Sequence, residues 1–245
     1  MMLAVIADIH GNAAALEAVL ADIERLGIRE IVNLGDCLSG PLEAGRTADR
    51  LMALGLPTVR GNHDRYLIEI PSDELCASDA HAYGQLSEPH LDWLRSLPFS
   101  LVHREEIFLC HATPNDDSLY WLEQVSADGL VSLQGEAEIA ALAEGVEQPL
   151  ILCAHSHVPR VVQLPDGRLI VNPGSVGCPA YDDDLPYVHK VETGHALASY
   201  AVLEKREGCW TPQFRTVAYD NMAMSELAAR NGRADWAKAL ATGRV

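Results

Sequence analysis

The sequence predicts an α/β protein, a single domain built from two β-sheets with helices flanking them. In the N-terminal half, short continuous apolar runs alternate with stretches of helical periodicity, which is the pattern of parallel strands joined by right-handed crossovers. In the C-terminal half, apolar runs pair across turn residues, the pattern of hairpins. A third observation locates function: Asp, Asn and His gather just past the ends of the apolar runs. In an α/β sheet, the carboxyl ends of the strands form the ligand crevice.

The first run, MLAVIAD (2–8), is continuously apolar up to its Asp, as a strand buried on both faces requires. AALEAVLADIERLG (14–27) follows as a helix, with Leu16, Val19, Leu20, Ile23 and Leu26 on one stripe and Gly27 as its stop. EIVNLGD (30–36) reads as a second strand, PLEAGRTADRLMALG (41–55) as a second helix and LPTVRGNHD (56–64) as a third strand. EIFLCHATP (106–114) and PLILCAHSH (149–157) read as buried strands flanking a partly helical insertion at about 113–148. RVVQLPDGRLIVNPGS (160–175) is a hairpin turning at Asp166-Gly167. ASYAVLEKREGCWTPQFRTVAYD (198–220) is another, and residues 221–241 read as one closing helix. No repeat, low-complexity tract or linker divides the chain, so one domain over 1–245 is expected.

At 245 residues, 48% hydrophobic and 22% charged, the chain is long enough to bury a substantial core. No apolar run approaches a membrane span, and the start lacks the features of a signal peptide, so a cytoplasmic location is expected. The net charge of −17 repels polyanions and argues against duplex nucleic acid and anionic membranes as partners. The six cysteines are scattered without C-x-x-C spacing. Cys37, Cys110 and Cys153 lie near the polar clusters, and buried free thiols are the reading for them.

The clusters are ADIHGN with Asp8 and His10, NLGDCLSG with Asp36, RGNHD with Asn62, His63 and Asp64, LCHATP with His111, and CAHSHVP with His155 and His157. They hold five of the ten histidines, too many for chance turn residues. Taken singly, Asp8, Asp36 and Asn62 are ordinary turn formers, and His111 is an ordinary core or surface histidine. Together, imidazoles, carboxylates and one amide oxygen form the donor mix that suits Mn²⁺, Fe, Zn²⁺, Co²⁺ or Ni²⁺. The set exceeds what one ion needs and suffices for two that share a carboxylate, roughly 3.5–4 Å apart. On that reading His155 and His157 sit side by side because each serves a different ion.

The ordered set D-x-H, G-D, G-N-H-D, H and H-x-H resembles the calcineurin-like metallophosphoesterase family from about residue 3 to 178. The resemblance implies a four-layer α/β/β/α sandwich with a dinuclear metal site at the carboxyl ends of the strands. It assigns Asp8, His10, Asp36 and His157 to one ion, and Asp36, Asn62, His111 and His155 to the other, with Asp36 bridging. It makes His63 the non-ligand histidine that binds phosphate and assists the leaving group. Asp64, its neighbour, is the candidate to orient that ring. The implied cofactor is two divalent ions, manganese first. The implied reaction is phosphoester hydrolysis by a metal-bridging hydroxide.

Departures from the family narrow the substrate. Ser39 and Gly40 stand where protein phosphatases of the family carry an orienting Asp and a phosphate-binding Arg, and Ala154 replaces the usual Gly before H-x-H. VNPGSVGCP (171–179) is similar to the small bacterial and archaeal branch of phosphodiesterases and phosphatases, with Asn172 and Ser175 read as turn residues. The following AYDDDLPYVHKVETGH looks like an insertion that lacks that branch's Arg and reads as a solvated acidic loop, with Tyr181 and His189 as possible rim residues. The expected substrate is therefore a small or nucleotide-like phosphodiester. The enzymatic alternatives are a phosphomonoesterase or protein phosphatase and a dinucleoside polyphosphate hydrolase. The non-enzymatic alternative is a metal-binding interaction scaffold. Sequence leaves the oligomeric state open.

Overall fold

The computed structural model describes residues 1–245. In chain order its elements are β1 (Met2–Ile6), α1 (Ala13–Arg25), β2 (Ile31–Asn33), α2 (Ala44–Leu54), α3 (Asn62–Glu69), α4 (Ala77–Tyr83) and α5 (Glu88–Ser96). They continue with β3 (Ser100–His103), β4 (Ile107–Cys110), β5 (Glu123–Val125), β6 (Val131–Leu133), α6 (Glu136–Leu142), β7 (Leu150–Leu152), β8 (Arg160–Gln163) and β9 (Leu169–Asn172). The chain closes with β10 (Ala180–Asp183), β11 (His189–Glu192), β12 (Ala198–Arg206), β13 (Cys209–Val217), α7 (Asn221–Arg230) and α8 (Ala234–Thr242). No helix is long and apolar enough to cross a membrane.

Two sheets stack face to face, one ordered β13-β12-β1-β2 and the other β3-β4-β7-β9-β8. Strand alternation explains the layers. On β1, Leu3 and Val5 point into the space between the sheets, while Ala4 and Ile6 face the helices. On β12, Ala201 and Leu203 share the inter-sheet layer, and Tyr200 and Val202 face α1. In the second sheet Leu109, Leu150, Leu152 and Val171 point inward, and Ile151 and Ile170 point outward onto α6. The result is the expected α/β/β/α sandwich.

Both sheets are parallel where the site needs it. β1 pairs in parallel with β2 (Val5↔Val32), and β4, β7 and β9 run in parallel (Leu109↔Leu152↔Val171). Their carboxyl ends therefore lie along one rim. Past that rim the backbone ladder continues into the loops: Asp8 N donates to Gly35 O, His10 N to Asp36 O, and Gly177 N to Asp8 O.

The structure differs from the sequence reading at four places. The third strand shrinks to a single parallel bridge, Asn33↔Thr58, because the chain turns at Gly61 and starts α3 at Asn62. The closing stretch 221–241 is two helices rather than one, broken at Asn231-Gly232, where Gly232 has φ +77°. The 113–148 insertion contains one short helix, α6, preceded by the β5–β6 hairpin. Helices α4 and α5 arise from a polar stretch in which sequence reading placed no element.

Candidate metal centre

Two groups of side chains converge at the rim: Asp8, His10 and His157 form one, and Asp36, His111 and His155 the other. Within each group one donor atom per residue lies within 4.8 Å of the rest, an arrangement that can hold a metal ion. Asp36 stands between them, its Oδ2 3.3 Å from His111 Nε2 and 3.9 Å from His10 Nε2. Asn62 Oδ1 joins the second group 3.1 Å from His111 Nε2. All seven residues singled out as ligand candidates thus meet in one place.

Backbone geometry aims them. Asp8, His10, Asp36, His155 and His157 all have positive φ, between +51° and +71°. That region costs L-residues of order 1–2 kcal/mol each, and clustering of such residues is a mark of functional sites. His155 and His157 are therefore separated by a left-handed loop and not by strand alternation, since β7 ends at Leu152. Gly61 permits the close approach of Asp36: a Cβ on it would lie 2.1 Å from Asp36 Oδ1. Asn172 and Ser175 are braces. The Asn172 amide donates to Ala154 O (2.9 Å), and Ser175 Oγ donates to Asp8 O (2.8 Å).

Each ligand-candidate imidazole spends one nitrogen on a backbone carbonyl. His10 Nδ1 donates to Ser39 O (3.0 Å), His111 Nδ1 to Leu34 O (2.7 Å), His157 Nδ1 to Cys178 O (2.9 Å) and His155 Nε2 to Ser118 O (3.0 Å). In His10, His155 and His157 these bonds fix the tautomer and leave the other nitrogen as a bare lone pair. Two such lone pairs, His10 Nε2 and His157 Nε2, face each other at 3.2 Å. Both oxygens of Asp8 are buried without a hydrogen-bond partner. Facing acceptors and an orphaned buried carboxylate are costly alone and resolved by a cation between them. The donor set fits divalent metal.

Charge follows the same plan. Burial lowers the pKa of His10 and of His155 to about 4 and holds that of His157 well below its usual value, so all three are neutral ligand forms at pH 7. Burial also raises Asp8 well above the usual carboxylate range, with Asp36 adding to it. For His111, burial lowers the value, but Asp36 outweighs it and pushes it up to about 10, marking where positive charge is wanted.

His63 is beside the ligand candidates but not among them. Its Nδ1 donates to Asp79 Oδ1 at 3.0 Å, with Ser39 Oγ 3.3 Å from the same nitrogen, and Nε2 has no protein partner. Burial lowers its pKa, but Asp36 and Asp79 outweigh that and push it up to about 9. Asp64 does not orient this ring, contrary to the sequence reading. Successive helical residues do not face each other, so Asp64 turns inward as a cap, its oxygens accepting from Cys37 N (2.9 Å) and Gly61 N (3.1 Å). The orienting carboxylate is Asp79, 2% exposed on α4, which no motif marks.

The centre opens into a cleft of about 420 Å³ that also includes Tyr120, Tyr181, Asp182, Asp183, Arg233 and Trp236. The acidic insertion is the β10–β11 hairpin, and Tyr181 packs its ring 4.8 Å from that of His157. His189 is buried behind it, accepting or donating at Tyr120 Oη (3.0 Å) and absent from the cleft lining. The thiols of Cys37, Cys110 and Cys153 are free and buried, burial pushes their pKa values up, and none of them belongs to either converging donor group.

Comparison with known proteins agrees with this geometry. Residues 1–194 match the family model of the calcineurin-like phosphoesterase superfamily domain. An uncharacterized protein of Methanocaldococcus jannaschii is 25% identical over 253 residues, covering 96% of this chain and 95% of that one. The crystal structure of a metallophosphoesterase from Sphaerobacter thermophilus superposes with a TM-score of 0.76 at 24% identity, covering 99% of this chain and all (100%) of that chain.

Proposed function

The chain belongs to the calcineurin-like phosphoesterase superfamily, and from that premise we propose that it is a divalent metal-dependent hydrolase of a small phosphodiester. The observation that carries this reading is the pair of converging donor groups, with both oxygens of Asp8 buried without a hydrogen-bond partner. Asp8, His10, Asp36 and His157 would hold one ion, and Asp36, Asn62, His111 and His155 the other. Two such ions, manganese being our choice, supply a nucleophile drawn from water at neutral pH and neutralise charge on the phosphoryl oxygens.

The remaining work falls to the chain's own groups. His63, held by Asp79 through Nδ1 and lining the cleft, gives a proton to the departing oxygen. Asp79 is its positioning residue: by accepting from Nδ1 it fixes the proton on that nitrogen and turns Nε2 to the cleft. The phosphodiester preference rests on Asp182, Asp183 and Asp235 around the cleft, which repel a monoester dianion more than a diester monoanion.

The test is a panel of bis-p-nitrophenyl phosphate, p-nitrophenyl phosphate and a phosphopeptide assayed with Mn²⁺ and with chelator. We expect chelator-sensitive hydrolysis in which the diester equals or exceeds the others in kcat/KM. Two bound ions per chain and no turnover of any ester would instead favour a metal-binding scaffold. His63→Ala should keep both ions and lose ~10²–10⁴-fold in kcat.

A further inference from the structure

Arg233 is the one arginine or lysine lining the cleft of a protein whose net charge is −17, and it lies beyond residues 1–194 that match the family. Its guanidinium is held still. Nε and Nη2 donate to the two oxygens of Asp235 (3.0 and 2.5 Å), and Nη1 donates to Ser78 Oγ (2.6 Å). Its side chain is 21% exposed, so it retains contact with the cleft. Ser78 precedes Asp79, the residue that orients His63, so α4 ties the arginine to the leaving-group side of the centre. Trp236, one helical turn on, lays its ring edge-on to His10 at 5.9 Å and walls the same end of the cleft.

We propose that Arg233 is a specificity-determining residue: it binds a second anionic group, a phosphate or a carboxylate, carried by the leaving group of the substrate. The proposal rests on the hydrolase reading above. An arginine fork whose orientation is already fixed recognises such a group without further loss of freedom. The acidic residues around it confine negative charge on the ligand to that single place. Asp235 occupies part of the fork and competes with the ligand. That competition gives the proposal a sign that a purely tethering arginine does not share.

The test is calorimetry on the Mn²⁺-loaded full chain, with hydrolytically inert probes: methylphosphonate against α,ω-bisphosphonates having one to four methylenes. In the wild type at least one bisphosphonate should bind ~10-fold or more tighter than methylphosphonate, the worth of one charge-assisted hydrogen-bonded pair. Arg233→Gln should abolish most of that ratio, and Asp235→Asn should increase it. Arg233→Lys, with charge kept and the fork lost, should retain part of it and guards against misfolding of the Gln variant. Ratios unchanged in Arg233→Gln, or lowered in Asp235→Asn as in Arg233→Gln, would overturn the proposal and leave Arg233 a tether between α8 and α4. Wild type that binds no methylphosphonate at all would overturn the metal-centre reading beneath it.

Discussion

Asp64 and Asp79 are both buried carboxylates close to His63, and their separate geometries assign them different consequences. Asp79→Asn removes the acceptor that fixes the ring's proton on Nδ1, because the amide can present its N–H side to that nitrogen. We expect kcat to fall ~10²-fold or more with KM little changed and both ions retained, and Asp79→Glu to restore part of the loss. Steady-state kinetics with metal analysis on the same samples checks this, and loss of metal in Asp79→Asn would move Asp79 from positioning to scaffold. Asp64→Ala strands the buried amides of Cys37 and Gly61. It should cost about 1–3 kcal/mol of stability, read from a denaturant melt.

The elements meet through contacts that leave no slack. Gly61, the residue before α3, touches the Asp36 loop after β2 so closely that Gly61→Ala must push Asp36 aside, its Cβ falling 2.5 Å from Asp36 N. Because Asp36 stands between both donor groups, metal stoichiometry should drop below one ion per chain, measured by elemental analysis after dialysis. A second junction ties α1 to β12 and β13. Asp22, 5% exposed on α1, accepts from Tyr200 Oη (2.6 Å) and Arg215 Nε (2.9 Å), and pairs with Arg25. Burial by itself raises its pKa, but Arg215, Tyr200 and Arg25 outweigh burial and lower it to about 2. A carboxyl with a folded value below its unfolded value of about 3.9 adds stability above that unfolded value. That contribution fades as pH falls toward 2. The stability difference between wild type and Asp22→Asn should therefore be full above about pH 5 and shrink toward pH 2, as followed by urea melts across pH.

At the scale of the whole molecule, the two sheets are held by a shared apolar layer, but the rim where they meet concentrates unpaired charge and lone pairs. Ions that bind only the folded chain stabilise it by mass action, about 4 kcal/mol each at a thousandfold excess over Kd. Chelation should lower Tm, and Mn²⁺ should restore it in a concentration-dependent way; a Tm indifferent to both would contradict a metal-filled rim. The −17 net charge acts at longer range. Salt screens its repulsion of anions, so raising ionic strength should improve kcat/KM for a monoester dianion more than for a diester monoanion.

The sequence by itself determined the buried strands β1, β2, β4 and β7, the first two helices, the two main hairpins and the seven ligand candidates. Short continuous apolar runs bounded by turn residues read as buried strands, and Asp and His at their ends then fall in the ligand crevice. It also carried the family, because D-x-H, G-D, G-N-H-D, H and H-x-H are local motifs in a fixed order. What it did not contain was the choice between Asp64 and Asp79, since which carboxylate reaches His63 depends on how α4 docks and not on adjacency in the chain. The break at Gly232 and the entry of Arg233 and Trp236 into the cleft were equally invisible, because α7 and α8 pack on Leu42 and the site rim through long-range contacts. Local periodicity encodes what a segment buries. Only tertiary packing decides which distant side chains it meets.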